Sequence, residues 1–367
     1  MPTRHIVLVT YGEPPTASFV DQLVYSWRIL LGLTRKVDAI PRPLLPMIAL
    51  ARARGRRAMW REHDYTSPLE PITTRQAQVL RNLLTADESG ESWRLQVAYE
   101  YRAPMLADAL RGIPAHEPVW VVPLYAADSA FTHELSREAA STRSGPVSVL
   151  GALSADRLAE ISAAHVLEHA AGEPGWLGDD VALVLAAHGT VLSPPKPIET
   201  GLIATEALCQ AVRTRLAPHF GMVVNGWLNH TRGGKWTEPP IEEALAQVVA
   251  AGYSRVVYYP YGFLGDNAES ELEGRIALAA VPALTAKHLP CLNDSPRLLD
   301  LLAQQVRQCV GRCAPAPGTT GDVGCYRLCT PGAVARTACA TCALPAGAAT
   351  SLVDRPGQQI AVTHAHP

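Results

Sequence analysis

The chain has 367 residues, with 32 basic against 34 acidic side chains and a formal net charge of −2. That length predicts about two domains with a remainder, and the charge balance excludes a nucleic-acid binder held by a broad basic surface. Hydrophobic residues at 48% against 18% charged exclude a disordered chain, and no apolar run reaches the ~18 residues of a membrane span.

The first apolar run, residues 6–10, is too short for the core of a signal peptide and predicts a buried strand. A cytoplasmic protein is the expectation. Further strands are predicted at 93–99, 119–123 and 147–150, then at 181–186, 222–226, 255–259 and near 286–290. Several are nearly continuous in Val, Leu and Ile, as parallel strands covered on both faces require. Between them, residues 74–84, 105–111, 155–171, 205–216, 240–251 and 296–310 carry apolar residues at the three- and four-residue spacing of helices. The β–α alternation runs twice, on either side of a Gly- and Pro-bearing break at 172–180. The fold class is therefore α/β, with two doubly wound parallel-sheet (Rossmann-like) halves at 1–172 and 173–310. Residues 311–367 form a Pro-, Gly- and Ala-rich tail, expected to be poorly ordered apart from its cysteines. Gly-x-Gly-x-x-Gly and phosphate-loop patterns are missing, which removes the main support for dinucleotide or nucleoside-triphosphate binding.

Ligands in open α/β sheets bind at the carboxyl ends of strands, so the residues that follow the strands are the candidates. Tyr11-Gly12-Glu13-Pro14 follows the first strand, where Gly and Pro favour a tight turn and Tyr11 projects from the strand end. An ordinary β–α turn is the competing reading. Ala187-His188-Gly189 follows the fifth strand, and a neutral imidazole there is both a metal ligand and a proton acceptor near pH 7. A hydrogen-bonded structural histidine is the plainer alternative. The loop from Pro260 to Glu273 runs into a helix, placing Asp266, Glu269 and Glu273 on one face by three- and four-residue spacing. Such a line suits a hydrated-cation conduit or proton relay, or a solvated acidic helix start. Trp227, Lys235, Trp236 and Pro239 lie between these loops and offer aromatic area to a flat ligand. In the tail, Cys325, Cys329, Cys339 and Cys342 supply thiolates that suit an iron–sulfur cluster or tetrahedral zinc. Cys309 and Cys313, one helical turn apart, could add a ligand, whereas Cys209 and Cys291 stand alone.

Over roughly residues 5–310 the sequence resembles the ferrochelatases. The resemblance rests on the Tyr11–Pro14 opening, Ser67-Pro68-Leu69 with Gln76, and Ala187-His188-Gly189. It continues through Lys235-Trp236 and Pro239, then Gly262-Phe263 with Asp266 and Glu269, and ends at Leu292-Asn293-Asp294. It implies insertion of Fe²⁺, a substrate, into a porphyrin in heme synthesis. By the same resemblance His188 is the pocket histidine and Glu269 the pocket glutamate on the same side of the macrocycle. Tyr11 lies near the metal on the other side, and Arg28 near a propionate. Lys235 and Trp236 are further substrate-binding positions. Glu273, with His188 and Glu269, meets the incoming iron. The tyrosine opening is similar to that of the coproporphyrin-using branch, since the protoporphyrin branch usually has Gly-Gly-Pro. Three departures bear on iron delivery more than on the pocket. Asn267 stands where the family commonly has His. Ala277 ends the acidic line. Leu124-Tyr125-Ala126 replaces a loop that often carries His. Some ferrochelatases hold a [2Fe–2S] cluster through a C-terminal extension with one ligand from the main domain. The resemblance implies such a cluster here, with zinc as the alternative, although the all-tail spacing differs. Competing functions are a chelatase for another tetrapyrrole or metal, such as sirohydrochlorin with cobalt, and a non-catalytic porphyrin-binding relative. The expected partners are porphyrin and ferrous iron, in a monomer or homodimer. A peripheral membrane contact is left open by the poor solubility of porphyrins.

Overall fold

The structure is a computed structural model that describes residues 3–37, 41–85, 92–228, 235–312 and 325–328. In the first half, β1 (Arg4–Thr10), β2 (Trp93–Tyr99), β3 (Val119–Pro123) and β4 (Val147–Leu150) form a parallel sheet in the order β2-β1-β3-β4. In the second, β5 (Gly178–His188), β6 (Phe220–Leu228), β7 (Arg255–Tyr259) and β8 (Thr285–His288) repeat that order as β6-β5-β7-β8. Each half thus has its first strand beside both its second and its third. The connections on either side of that strand run in opposite directions, and a crevice opens at its carboxyl end. Tyr11 follows the end of β1, and His188 ends β5.

The burial pattern explains the continuous apolar strands. Residues 181–187 of β5 are at most 1% exposed. Val181, Leu183 and Leu185 enter one core cluster, while Ala182, Val184 and Ala186 enter another on the opposite face. β1 divides likewise, with Ile6 and Leu8 on one side and Val7 and Val9 on the other. This is the period-two alternation of a strand with helices on both faces. The largest cluster joins Ile6 and Leu8 to Leu183 and Leu185, so the two sheets share one core. The shared layer comes from α3 (Leu69–Thr85), α6 (Ala155–Ala171), α7 (Leu202–Leu216) and α10 (Pro296–Arg312). Truncating a fully buried member such as Leu302 to Ala removes about 2–5 kcal/mol.

Helices α1 (Phe19–Val37) and α2 (Leu45–Glu62) lie between β1 and α3, and no sequence expectation covered them. The remaining helices are α4 (Leu106–Arg111), α5 (His133–Ser141), α8 (Ile241–Ala250) and α9 (Gly274–Ala279). The tail supplies β9 (Cys325–Leu328), whose backbone pairs antiparallel with β4 and sets Cys325 opposite Leu150. The first sheet is therefore not purely parallel at its edge. Among the described residues, no helix is long and apolar enough to cross a membrane.

Candidate active site

Because β5 and β7 are neighbours, the loops that follow them meet over the end of β5. Gly262 N–H donates to the Ala186 carbonyl at 3.2 Å, and a Cβ on Gly262 would stand 2.7 Å from that of Ala187. Only a glycine lets the chain pass so close to the strand. The loop then enters a π-helical segment, Ala268–Glu273, which runs on into α9. Asn267 starts it. Its Oδ1 accepts the Glu269 and Ser270 N–H groups at 2.9 and 3.2 Å, and the Ser270 Oγ accepts the Asn267 N–H at 3.0 Å. The wider winding is held from below by His288 on β8, whose Nε2 lies 2.9 Å from the Ser270 carbonyl. π-turns recur at functional sites, and this one brings Glu269 to His188.

The His188 Nδ1 lies 2.6 Å from Glu269 Oε1. With a carboxylate on Nδ1, the proton is assigned to that nitrogen and Nε2 is left as a free lone pair. The imidazole keeps 53% of its surface, against 15% for Glu269. The ring is therefore open to a ligand at the end of β5. Burial pulls the pKa down, but the Glu269 charge, its hydrogen bond and the Glu273 charge outweigh that pull and raise it above the ordinary imidazole value. Burial, then the Glu269 charge, pushes Glu273 up to about 7, with Arg56 and His188 opposing. Burial first, then Glu13, Tyr25 and Glu269, hold the Tyr11 phenol well above its usual range. Tyr11 is therefore neutral at working pH and belongs to the same electrostatic site. Arg52 and Arg56 of α2 bring positive charge to it. Burial, followed by repulsion from Arg56, lowers the Arg52 pKa, and the Arg56 guanidinium sits 4.8 Å from the Tyr25 ring centre.

The structure joins Tyr11, His188, Glu269 and Glu273 but changes the parts given to other residues. Asp266 does not extend the acidic face. It precedes the helix and turns away, accepting from the Cys291 N–H at 2.8 Å and the Asn293 Nδ2 at 2.7 Å. Trp227 offers no open aromatic face, being 3% exposed within β6. Lys235 and Trp236 open the segment that flanks the His188 loop, where Thr237 N–H donates to the Thr190 carbonyl at 3.0 Å. Arg28 is tied to the Tyr101 carbonyl at 3.1 Å. Ala277 is 6% exposed in the core, where a carboxylate has no place. Tyr125 points its hydroxyl inward with no hydrogen-bond partner in the structure. Gln76 braces the site loop by donating to the Asn293 carbonyl at 2.7 Å, and Asn293 Oδ1 accepts the Asp266 N–H at 2.8 Å. Cys329, Cys339, Cys342 and Cys313 lie outside the described residues. Cys309 is buried on α10. Among the described residues, no group of three or more His, Cys, Asp or Glu is arranged to hold a metal ion. Glu13, Arg52 and Arg56 went unremarked in the sequence, since only tertiary contact brings them here.

Gly12 sets the turn that carries Tyr11. Its φ is +73°, and a Cβ would fall 2.4 Å from that of the buried Tyr99. Gly12→Ala is therefore expected to cost about 2–4 kcal/mol, left-handed strain adding to overpacking. Urea denaturation measures it, and an unchanged midpoint would contradict the geometry.

Residues 4–310 match the family pattern described as Ferrochelatase. The chain is 28% identical over 340 residues to the ferrochelatase of Caulobacter vibrioides (strain NA1000 / CB15N), spanning 88% of this chain and 94% of that one. It is 26% identical over 353 residues to the ferrochelatase of Polaromonas sp. (strain JS666 / ATCC BAA-500), spanning 86% and 89%. Among solved structures, SirB from Bacillus subtilis with Fe³⁺ matches at a TM-score of 0.47 and 12% identity, over 83% of this chain and 95% of that one. The multi-domain protein DR2241 from Deinococcus radiodurans, described as structurally similar to chelatases, matches at 0.47 and 18% identity, over 83% of this chain and 55% of that one.

Proposed function

The chain belongs to the ferrochelatase family of metal chelatases, which act in heme synthesis, and from that premise we propose that it inserts Fe²⁺ into coproporphyrin III in preference to protoporphyrin IX. The observation that carries the reading is the His188–Glu269 pair at the carboxyl end of β5, with Tyr11 in the same electrostatic site. A free porphyrin is planar, and its two pyrrole N–H protons must leave as the metal enters. The protein must hold the ring, distort it to expose nitrogen lone pairs, and accept those protons. His188 Nε2 serves as acceptor or transient ligand, with Glu269 stabilising the imidazolium from Nδ1. Glu273, one turn further along, meets the iron on its way in. The iron is a substrate, so these groups must release it into the ring.

Coproporphyrin III bears a propionate on every pyrrole ring, protoporphyrin IX on only half of them. Arg52 and Arg56 support the more anionic substrate. Burial, then repulsion from Arg56, disfavours the Arg52 charge, and a substrate carboxylate beside it would offset that cost. Arg28, Lys235 and Trp236 are proposed as further binding positions. The test is anaerobic incubation of the protein with Fe²⁺ and each porphyrin, following metalloporphyrin absorbance. A higher kcat/KM for coproporphyrin III supports the reading. Equal or better use of protoporphyrin IX removes the preference. Insertion into neither points to the non-catalytic relative, and cobalt insertion into sirohydrochlorin alone to the other chelatase.

For the tail we propose a [2Fe–2S] cluster held by Cys325, Cys329, Cys339 and Cys342. The support is the donor set itself, since four thiolates in a short segment suit iron–sulfur or zinc. The insertion step involves no net redox change, so the group would stabilise or sense. The expected result is brown protein as isolated, with visible absorption lost in Cys339→Ser. Colourless protein with stoichiometric zinc overturns the cluster.

A further inference from the structure

Glu13 follows β1 two residues after Tyr11, and its side chain is buried at 4% exposure. Both carboxylate oxygens lie 3.1 Å from the backbone N of Ala268, the first residue of the π-turn. The Ser67 hydroxyl donates to its Oε1. Ser67 in turn donates its N–H to the Pro15 carbonyl at 3.0 Å and accepts the Leu69 N–H at 3.2 Å, where α3 begins. Trp60 and Tyr65 pack on Ala268 and Leu272 beside this junction. One carboxylate thus joins the loop after β1, the entry to α3 and the turn that carries Glu269.

The first N–H groups of a helix have no partner within it. Asn267 accounts for those of Glu269 and Ser270, and Glu13 takes that of Ala268. An anion is favoured at this end of a helix. A carboxylate kept in the interior is costly unless its oxygens are hydrogen-bonded, and burial pushes this one up to about 7 against the pull of Ser67, Ala268 N–H and Arg56. An apolar residue of the same size would leave the Ala268 N–H without an acceptor, so what the carboxylate supplies here is a fixed hydrogen-bond partner for the turn.

We propose that Glu13 is a positioning residue for metal insertion, its carboxylate gripping the Ala268 amide from the opposite half and so fixing the turn that presents Glu269 to His188. This rests on reading His188–Glu269 as the pair that accepts the pyrrole protons. Misplacing a reacting group by about 1 Å costs up to ~100-fold in rate.

Glu13→Gln tests it with little change of shape. Its NH2 replaces one of two oxygens facing the Ala268 N–H, so donor meets donor. The expected result is a fall in kcat per folded molecule of about 10- to 100-fold, with KM for porphyrin unchanged and faster exchange of the Ala268 amide. Ser67→Ala, which removes one hydroxyl donor, should give a smaller fall of the same kind. Wild-type kcat per folded molecule in Glu13→Gln overturns the proposal. So does a loss of activity that only tracks the loss of folded protein. If the wild-type protein inserts no metal, the functional reading fails instead. Exchange of the Ala268 amide then still decides whether Glu13 holds the turn.

Discussion

Replacing His188 by alanine is expected to lower iron insertion by about 10²–10⁴-fold, or roughly 2.7–5.5 kcal/mol of barrier, while the fold and porphyrin affinity persist. The side chain keeps 53% of its surface, so its removal opens no cavity of the kind that destabilises a core. The strand beneath it is buried by its own apolar residues from 181 to 187 and does not depend on the ring. The variant loses the one lone pair that Glu269 orients toward the pocket, Nε2. Anaerobic rate measurements give the effect on insertion. Porphyrin fluorescence quenching gives affinity, and urea denaturation gives stability. Turnover like the wild type would sink the assignment of His188 as proton acceptor or transient ligand.

Why the sequence revealed some elements and hid others follows from how each is buried. β5 was legible because both its faces are core, so Val181 to Ala187 forms an apolar run that needs no periodicity to be seen. His188 was legible because it ends that run. α1 was hidden because its buried face is mixed, with Tyr25, Leu30 and Val37 interrupted by polar residues. Gln22, Ser26 and Thr34 are buried while Val20, Val24 and Trp27 are exposed at 66%, 41% and 36%. α2 was hidden because its buried stripe, Leu45, Ala49, Ala53 and Trp60, is sparse and half alanine, set among arginines. Spacing put Glu269 and Glu273 near each other, and their charges do interact, but it could not show that Asp266 turns back to Cys291 and Asn293. Nothing local marks Glu13 either. Its partner Ala268 lies 255 residues away, and only the shared core of the two halves brings them together. Asn267, which stood out as a departure from the family pattern, proves to be the cap of the π-turn.

Glu269→Gln is expected to act on both the height and the pH dependence of the reaction. In the wild type, burial lowers the His188 pKa, while the Glu269 charge and hydrogen bond and the Glu273 charge raise it above the ordinary value of about 6.5. A proton acceptor must be neutral to work, so the acid limb of kcat should lie above that value. Glutamine removes the ionic contact. Burial and the Arg52 charge, both of which lower the pKa, then stand against Glu273 alone, and the acid limb should move to lower pH. Glu273 moves the same way, because after burial the Glu269 charge is the largest influence raising its pKa. The plateau should also fall, by about 10–100-fold, the usual cost of losing a group that orients an imidazole. Glutamine can turn its NH2 to Nδ1 and favour the tautomer that places the proton on Nε2, where the pyrrole proton must go. A pH series of initial rates at saturating porphyrin separates the two effects. A lower plateau with an unmoved acid limb would mean that Glu269 orients His188 without tuning it. A limb that moves to higher pH would contradict the electrostatics of the pair.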